Sequence, residues 1–227
     1  MSIEAFIFDM DGVLVNTEVL KAKAFGFSLR RYGVENGYDW YLKNFGVCGL
    51  AKKAMEDHQI EYDLEGFREL RDNEYRRLLR EKRAIEIPET MAFLKELKKR
   101  GYALGVASSE NSDNLRFVLN SISILYYFDA IAAGDEVKAR KPAPDVYLLA
   151  AKRLNVKPER CVVIEDSTAG IEAAKLAGMY CIAHQIAHNK NSDLSNADLV
   201  VNDISRINLA QLAAQITSVK VKVNGYT

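Results

Sequence analysis

The stretch Ile3-Glu4-Ala5-Phe6-Ile7-Phe8-Asp9-Met10-Asp11-Gly12 decides the architecture. Ile3 to Phe8 is short, apolar and partly β-branched, and it stops at two aspartates and a glycine, so it reads as a buried strand ending in carboxylates. Three more such runs follow: Ala103 to Ala107, Cys161 to Ile164 and Tyr180 to Ala183. Helical periodicity separates them. Pro88 to Arg100 opens on a proline and stops before Gly101, Asn111 to Asn120 follows the second strand, Asp145 to Leu154 is introduced by Pro142 and Pro144, and Ser167 to Ala177 is stopped by Gly178. Strand and helix alternating in this way imply right-handed crossovers and a parallel sheet covered on both faces, an α/β fold.

From Thr17 to about Arg83 no comparable strand occurs, only helical stretches such as Val19 to Tyr32 and Glu65 to Arg83. The expected organisation is a catalytic core of residues 1–16 and 84–227 with an inserted all-helical cap of residues 17–83. The insert follows the first strand and so stands over the edge where open parallel sheets bind ligands, as a lid would. Its aromatics cluster at Tyr38, Trp40 and Tyr41. Its basic run, Arg68, Arg71, Arg76, Arg77, Arg80, Lys82 and Arg83, is interleaved with Glu69, Asp72, Glu74 and Glu81 and reads as a solvated helix face. The tail Val219-Lys220-Val221-Lys222-Val223 alternates with period two and reads equally as an edge strand or as a frayed end.

The chain has 227 residues, 48% apolar and 27% charged, enough for a sizeable core. Lys plus Arg and Asp plus Glu both total 31, so no net field steers the protein to a polyanion, and nucleic acid is not an expected partner. No run approaches the ~18 apolar residues of a membrane span, and no basic flank with a cleavage site opens the chain. Cys48, Cys161 and Cys181 form neither a CxxC pair nor a zinc pattern. Cys161 and Cys181 read as buried strand residues, Cys48 lies in a glycine-flanked loop, and the expected compartment is the cytoplasm.

In a parallel sheet, Asp9 and Asp11 leave the same edge as Ser108 and Ser109, after the second strand, and as Glu165 and Asp166, after Ile164. Four carboxylates meeting at one edge are costly to keep ionised without a cation, and oxygen ligands suit Mg²⁺. Lys141, in Ala139-Arg140-Lys141-Pro142, sits in an extended loop within reach of the same edge. A hydroxyl, an ammonium and a metal among carboxylates make a cradle for a tetrahedral dianion. Asp9 is then placed to attack phosphorus, and Asp11 to protonate the leaving oxygen. Alternation puts Met10 on the opposite side, and Gly12 permits a tight turn. Singly, each residue has an ordinary role as a turn, a helix cap or a surface lysine. Their order along the chain, each after a strand, is what makes a shared site.

Asp9-Met10-Asp11-Gly12-Val13, Ser108, Lys141-Pro142 and Glu165-Asp166-Ser167 with Gly170 resemble the four motifs of the haloacid dehalogenase superfamily, and the resemblance covers essentially the whole chain. It points to the branch with a helical cap after the first motif, which includes small-molecule phosphatases and β-phosphoglucomutase. The resemblance implies a Rossmann-like core, Asp9 as nucleophile, Asp11 as acid and base, and Ser108 and Lys141 around the phosphate, where Ser109, next to Ser108, is expected as well. It also implies Mg²⁺ held by Asp9, the main-chain carbonyl of Asp11 and Asp166, with Glu165 supporting the metal or its waters. Mutase relatives usually carry a His shortly after the first motif and an Arg in the cap loop, where this chain has Lys21 and Gly49. Lys21 reads as a solvated helix lysine or, in the alternative, as a point charge that compensates for the absent groups, and the loop Phe45-Gly46-Val47-Cys48-Gly49 as a specificity loop.

The expected activity is Mg²⁺-dependent hydrolysis of a small phosphomonoester, a sugar phosphate, through an aspartyl-phosphate. The competing readings are a phosphosugar mutase and a non-catalytic protein that binds phosphorylated metabolites.

Overall fold

The computed structural model describes residues 2–44, 49–61, 63–82, 85–186, 189–190 and 192–224. Six strands form one parallel sheet: β1 (Ala5–Phe8), β4 (Ala103–Ala107), β5 (Ala130–Ala132), β6 (Cys161–Glu165), β7 (Tyr180–His184) and β8 (Leu199–Val201), in the order β5-β4-β1-β6-β7-β8. β1 is therefore central, with Ala5 opposite both Ala103 and Cys161. The chain turns one way from β1 to β4 and β5 and the other way to β6, β7 and β8, and the crevice at such a switch point is where open α/β sheets bind ligands.

Strand alternation sorts the side chains into two layers. Phe6 and Phe8 of β1 join Leu104, Val106, Val162, Ile164 and Ile182 in a core under α5 (Pro88–Lys99), α6 (Ser112–Ser121) and α9 (Leu209–Asn224). Ala5, Ile7, Ala107, Cys161, Val163 and Cys181 face the opposite layer, under α7 (Asp145–Leu154) and α8 (Thr168–Leu176). Every side chain of β1 is buried on one face or the other, which is why the strand is apolar without a polar stripe. Cys161 and Cys181 are unpaired and buried in these layers, and burial pushes the Cys161 thiol up to about 12.

Helices α1 (Glu18–Arg31), α2 (Gly37–Lys43), α3 (Leu50–Asp57) and α4 (Leu64–Lys82) form the inserted helical cap around their own core of Phe25, Leu29, Tyr41, Met55 and Phe67. Phe25 stacks on Trp40 with ring centroids 5.8 Å apart and meets Phe67 edge-on at 5.0 Å, so the aromatic cluster of the sequence is packing material. The chain enters and leaves the cap through two short antiparallel strands, β2 (Val15–Asn16) and β3 (Ile85–Glu86).

Two expectations are corrected. The tail is helical: the period-two run continues α9, because extending an existing helix gains a hydrogen bond per residue and β-branched residues oppose this only weakly. The edge strand beside β7 is β8. The basic run is also not uniformly a solvated face. Arg77 lies between Glu74 and Glu81 as expected. Arg76, however, donates from Nε to Asn114 Oδ1 at 2.7 Å, and Arg80 lies over the Phe117 ring, because α4 packs along α6 and turns those positions inward. Arg83 and the loop residues Phe45 to Cys48 fall outside the described residues.

Candidate active site

Beyond Phe8 the chain continues the ladder for one residue, Asp9 N–H donating to Ile164 O at 2.9 Å, before it turns. Met10 is fully buried in the core while Asp9 and Asp11 line a cavity of about 400 Å³ at the carboxyl edge of the sheet. Gly12 makes the turn at φ +78°, its N–H donating to Val15 O. Ser108 and Ser109, after β4, line the same cavity, with Ser108 Oγ accepting from Glu110 N–H at 3.1 Å. Lys141 arrives from the loop after β5, Glu165 ends β6, and Asp166 follows it. All seven expected residues thus border one space.

Lys141 is the hub. Its Nζ donates to Asp9 Oδ1 at 2.5 Å, Glu165 Oε1 at 2.8 Å, Tyr147 OH at 3.0 Å and Ala107 O at 3.1 Å. Tyr147 OH in turn donates to Glu165 Oε1 at 2.9 Å. Glu165 Oε2 accepts from the backbone N–H groups of Asp166 and Ser167 at 2.7 and 2.9 Å and from Ser167 Oγ at 3.0 Å. Ser167 Oγ accepts from Gly170 N–H at 3.1 Å and so caps α8. Glu165 therefore ties Lys141 to the start of α8, and both of its oxygens are engaged by the protein.

Burial and the carboxylates of Glu165, Asp166 and Asp11 hold Asp9 well above the usual carboxylate range, outweighing Lys141. Glu165 goes the other way. Burial opposes its ionisation, but the Lys141 ammonium and the two backbone N–H groups keep its carboxyl below the ordinary value. Burial likewise disfavours charge on Lys141, yet Asp9 and Glu165 raise it and keep it protonated. The edge as a whole has more negative charge than Lys141 neutralises.

Asp11 has its own partners from the cap. Thr17 Oγ donates to Oδ1, and Lys21 Nζ donates to Oδ2 at 2.6 Å while standing 3.5 Å from Glu110 Oε1. Lys21 is therefore not a solvated helix lysine, since α1 begins at the cavity and points this position at two carboxylates. Among the described residues no three His, Cys, Asp or Glu side chains gather as metal ligands, and Asp11 and Glu165 turn their carboxylates to Lys21 and Lys141. Sequence reading missed Thr17, Glu110, Tyr147 and Asn189. Asn189 donates to the carbonyls of Asp166 and His184 at 2.8 Å each, joining the loops after β6 and β7. Helical spacing shows which face of α7 carries Tyr147, but nothing in the sequence says which strand end its hydroxyl meets.

The family model described as haloacid dehalogenase-like hydrolase matches residues 6–184, a span that contains all seven of these residues. The chain belongs to the haloacid dehalogenase-like hydrolases. Among its relatives, the phosphorylated carbohydrates phosphatase of Thermotoga maritima is 37% identical, over 82% of this chain and 88% of that protein. Fructose-1-phosphate phosphatase YqaB of Escherichia coli is 34% identical over 76% of this chain and 92% of that one. A β-phosphoglucomutase structure from Clostridium difficile superposes with a TM-score of 0.81 at 28% identity, covering 96% of this chain and 99% of that one. This haloacid dehalogenase-like hydrolase is thus an enzyme of the phosphatase and β-phosphoglucomutase-like branch, a phosphomonoester hydrolase by kinship.

Proposed function

We propose that the enzyme hydrolyses a small sugar phosphate through an aspartyl-phosphate on Asp9, with residues 1–16 and 84–227 as catalytic core and residues 17–83 as a lid. The observation that carries this reading is the meeting of Asp9, Asp11, Ser108, Lys141 and Asp166 around one cavity roofed by α1. Relatives named for phosphorylated carbohydrates and fructose 1-phosphate support the substrate class.

The donors suit Mg²⁺. Asp9 is buried among carboxylates that Lys141 alone does not balance, and a nucleophile must be ionised. Asp9, Asp166 and the main-chain carbonyl of Asp11 are the groups that would hold the ion, with Glu165 supporting them through the Asp166 backbone. When bound, it supplies the positive charge that lets two anions approach.

In the first step an Asp9 carboxylate oxygen attacks phosphorus, the bond to the leaving oxygen breaks, and Asp11 gives that oxygen its proton. Ser108, Ser109 and Lys141 hold the phosphoryl oxygens meanwhile. In the second step Asp11 takes a proton from water, which attacks phosphorus and releases Asp9 and inorganic phosphate. Thr17 and Lys21 orient Asp11 for both transfers. The cytoplasm is the setting proposed for this chemistry.

The test is phosphate release from a panel of sugar phosphates with and without Mg²⁺, in the wild type and Asp9→Asn. Metal-dependent release that falls by ~10³ or more in a variant of unchanged fold is the expected result. Ordinary turnover by Asp9→Asn sinks the covalent route, and isomerisation without net phosphate release selects the mutase.

A further inference from the structure

We propose that Glu110 is a specificity-determining residue that confines the enzyme to monophosphates with an uncharged polyhydroxy leaving group and turns away bisphosphates; this rests on the phosphatase reading above. The leaving oxygen departs towards Asp11, so the group it carries lies on the Asp11 side of the cavity. There Lys21 stands 2.6 Å from Asp11 Oδ2 and 3.5 Å from Glu110 Oε1, one ammonium shared by two carboxylates. With Asp11 carrying the proton it later donates, Lys21 and Arg71 still face three carboxylates, those of Glu110, Asp72 and Glu18, so the local charge is negative before a substrate enters. Glu110, Lys21 and Tyr41 also line a second space of about 180 Å³ between cap and core, which adjoins the first at these residues. That space holds Arg71, whose guanidinium donates to Asp72 Oδ1 at 2.7 and 2.9 Å.

A second phosphate on this side meets cations that carboxylates have already neutralised, and a carboxylate in excess. Sugar hydroxyls, by contrast, can donate to Glu110 and Asp72. Glu110 is anchored in place. Its Oε2 accepts from Asn114 Nδ2 at 3.2 Å, and Asn114 is fully buried and held by Arg76 Nε at 2.7 Å and by its own N–H on Asn111 Oδ1 at 2.8 Å. Among the described residues, the remaining cation on the lining outside the phosphate cradle, Arg140, is exposed and adjoins Lys141 in the chain.

The experiment compares fructose 1-phosphate with fructose 1,6-bisphosphate, as substrates and as competitors of p-nitrophenyl phosphate, so that a sugar that is not turned over is still ranked by inhibition. The wild type should favour the monophosphate by about tenfold or more, and Glu110→Gln, whose amide oxygen can still accept from Asn114, should cut that ratio several-fold. A second measurement needs no variant: raising the salt from about 0.05 to about 0.5 M should narrow the wild-type ratio, because the repulsion is screened. Equal ranking of the two sugars, including no inhibition by either, or a ratio unmoved by both Glu110→Gln and salt, overturns the proposal. So does a bisphosphate preference that disappears in Arg140→Ala. No turnover of p-nitrophenyl phosphate itself overturns the phosphatase reading, a failure separable from all of these.

Discussion

Tyr147 lies near the start of α7, and its hydroxyl accepts from Lys141 and donates to Glu165 with no exposure to solvent. Tyr147→Phe should cost about 1–2 kcal/mol, because it strips a partner from two buried charges without opening a cavity. Urea unfolding measures this, and unchanged stability would show the hydroxyl to be idle. At Asp11, replacement by Asn removes the proposed proton donor while keeping the shape. Alkyl phosphates should then lose ~10²-fold or more in kcat, and p-nitrophenyl phosphate, whose leaving group needs little protonation, far less. Equal losses would count against an acid role. The residues legible in the sequence are those whose position alone gave them away, Asp9, Asp11, Ser108, Lys141, Glu165 and Asp166, each following a strand or its loop. Tyr147 was not legible as a site residue, since a helix period gives the inward face but not the group waiting there; Glu110 sits in a bend that no period marks, and Lys21 stood out only by its position where mutase relatives carry a His.

At the level of elements, the junction of β6 and α8 shows how tightly the site is built. A methyl group on Gly170 would fall onto the Glu165 carboxylate, which five hydrogen bonds hold in place. Gly170→Ala should therefore lower the melting temperature by several degrees and reduce turnover as well, because Glu165 must shift and Lys141 with it. A variant that melts normally and turns over normally would show that the carboxylate has room to move. β4 and α7 match their sequence patterns end to end, since each has its full periodicity and, for α7, a proline lead-in. β5 and β8, of three residues each, and the two-residue β2 and β3 are too short for any period to register. The tail misled for the opposite reason: its alternation was clear, but the run lies at the end of α9 and continues that helix.

Over the whole molecule, the pH dependence of stability can be read at the ion pair that ties α7 to the loop after β5. Arg153 on α7 holds the Glu136 carboxyl below its ordinary 4.5. The pair's contribution is therefore complete above that value and lost as pH falls through the lower folded one. The stability gap between wild type and Arg153→Gln should accordingly be widest at neutral pH and shrink below about pH 4; a gap indifferent to pH would deny the pair any electrostatic share. One architectural detail reaches further. Because the chain crosses into the helices and back along two neighbouring strands, Asn16 opposite Ile85, the splice points are a single strand spacing apart, about 5 Å. A chimaera carrying a foreign helical cassette at that junction would inherit the six-stranded chassis with Asp9, Ser108, Lys141 and Glu165, but the cassette must bring its own partners for Asp11, because Thr17 and Lys21 leave with the native helices.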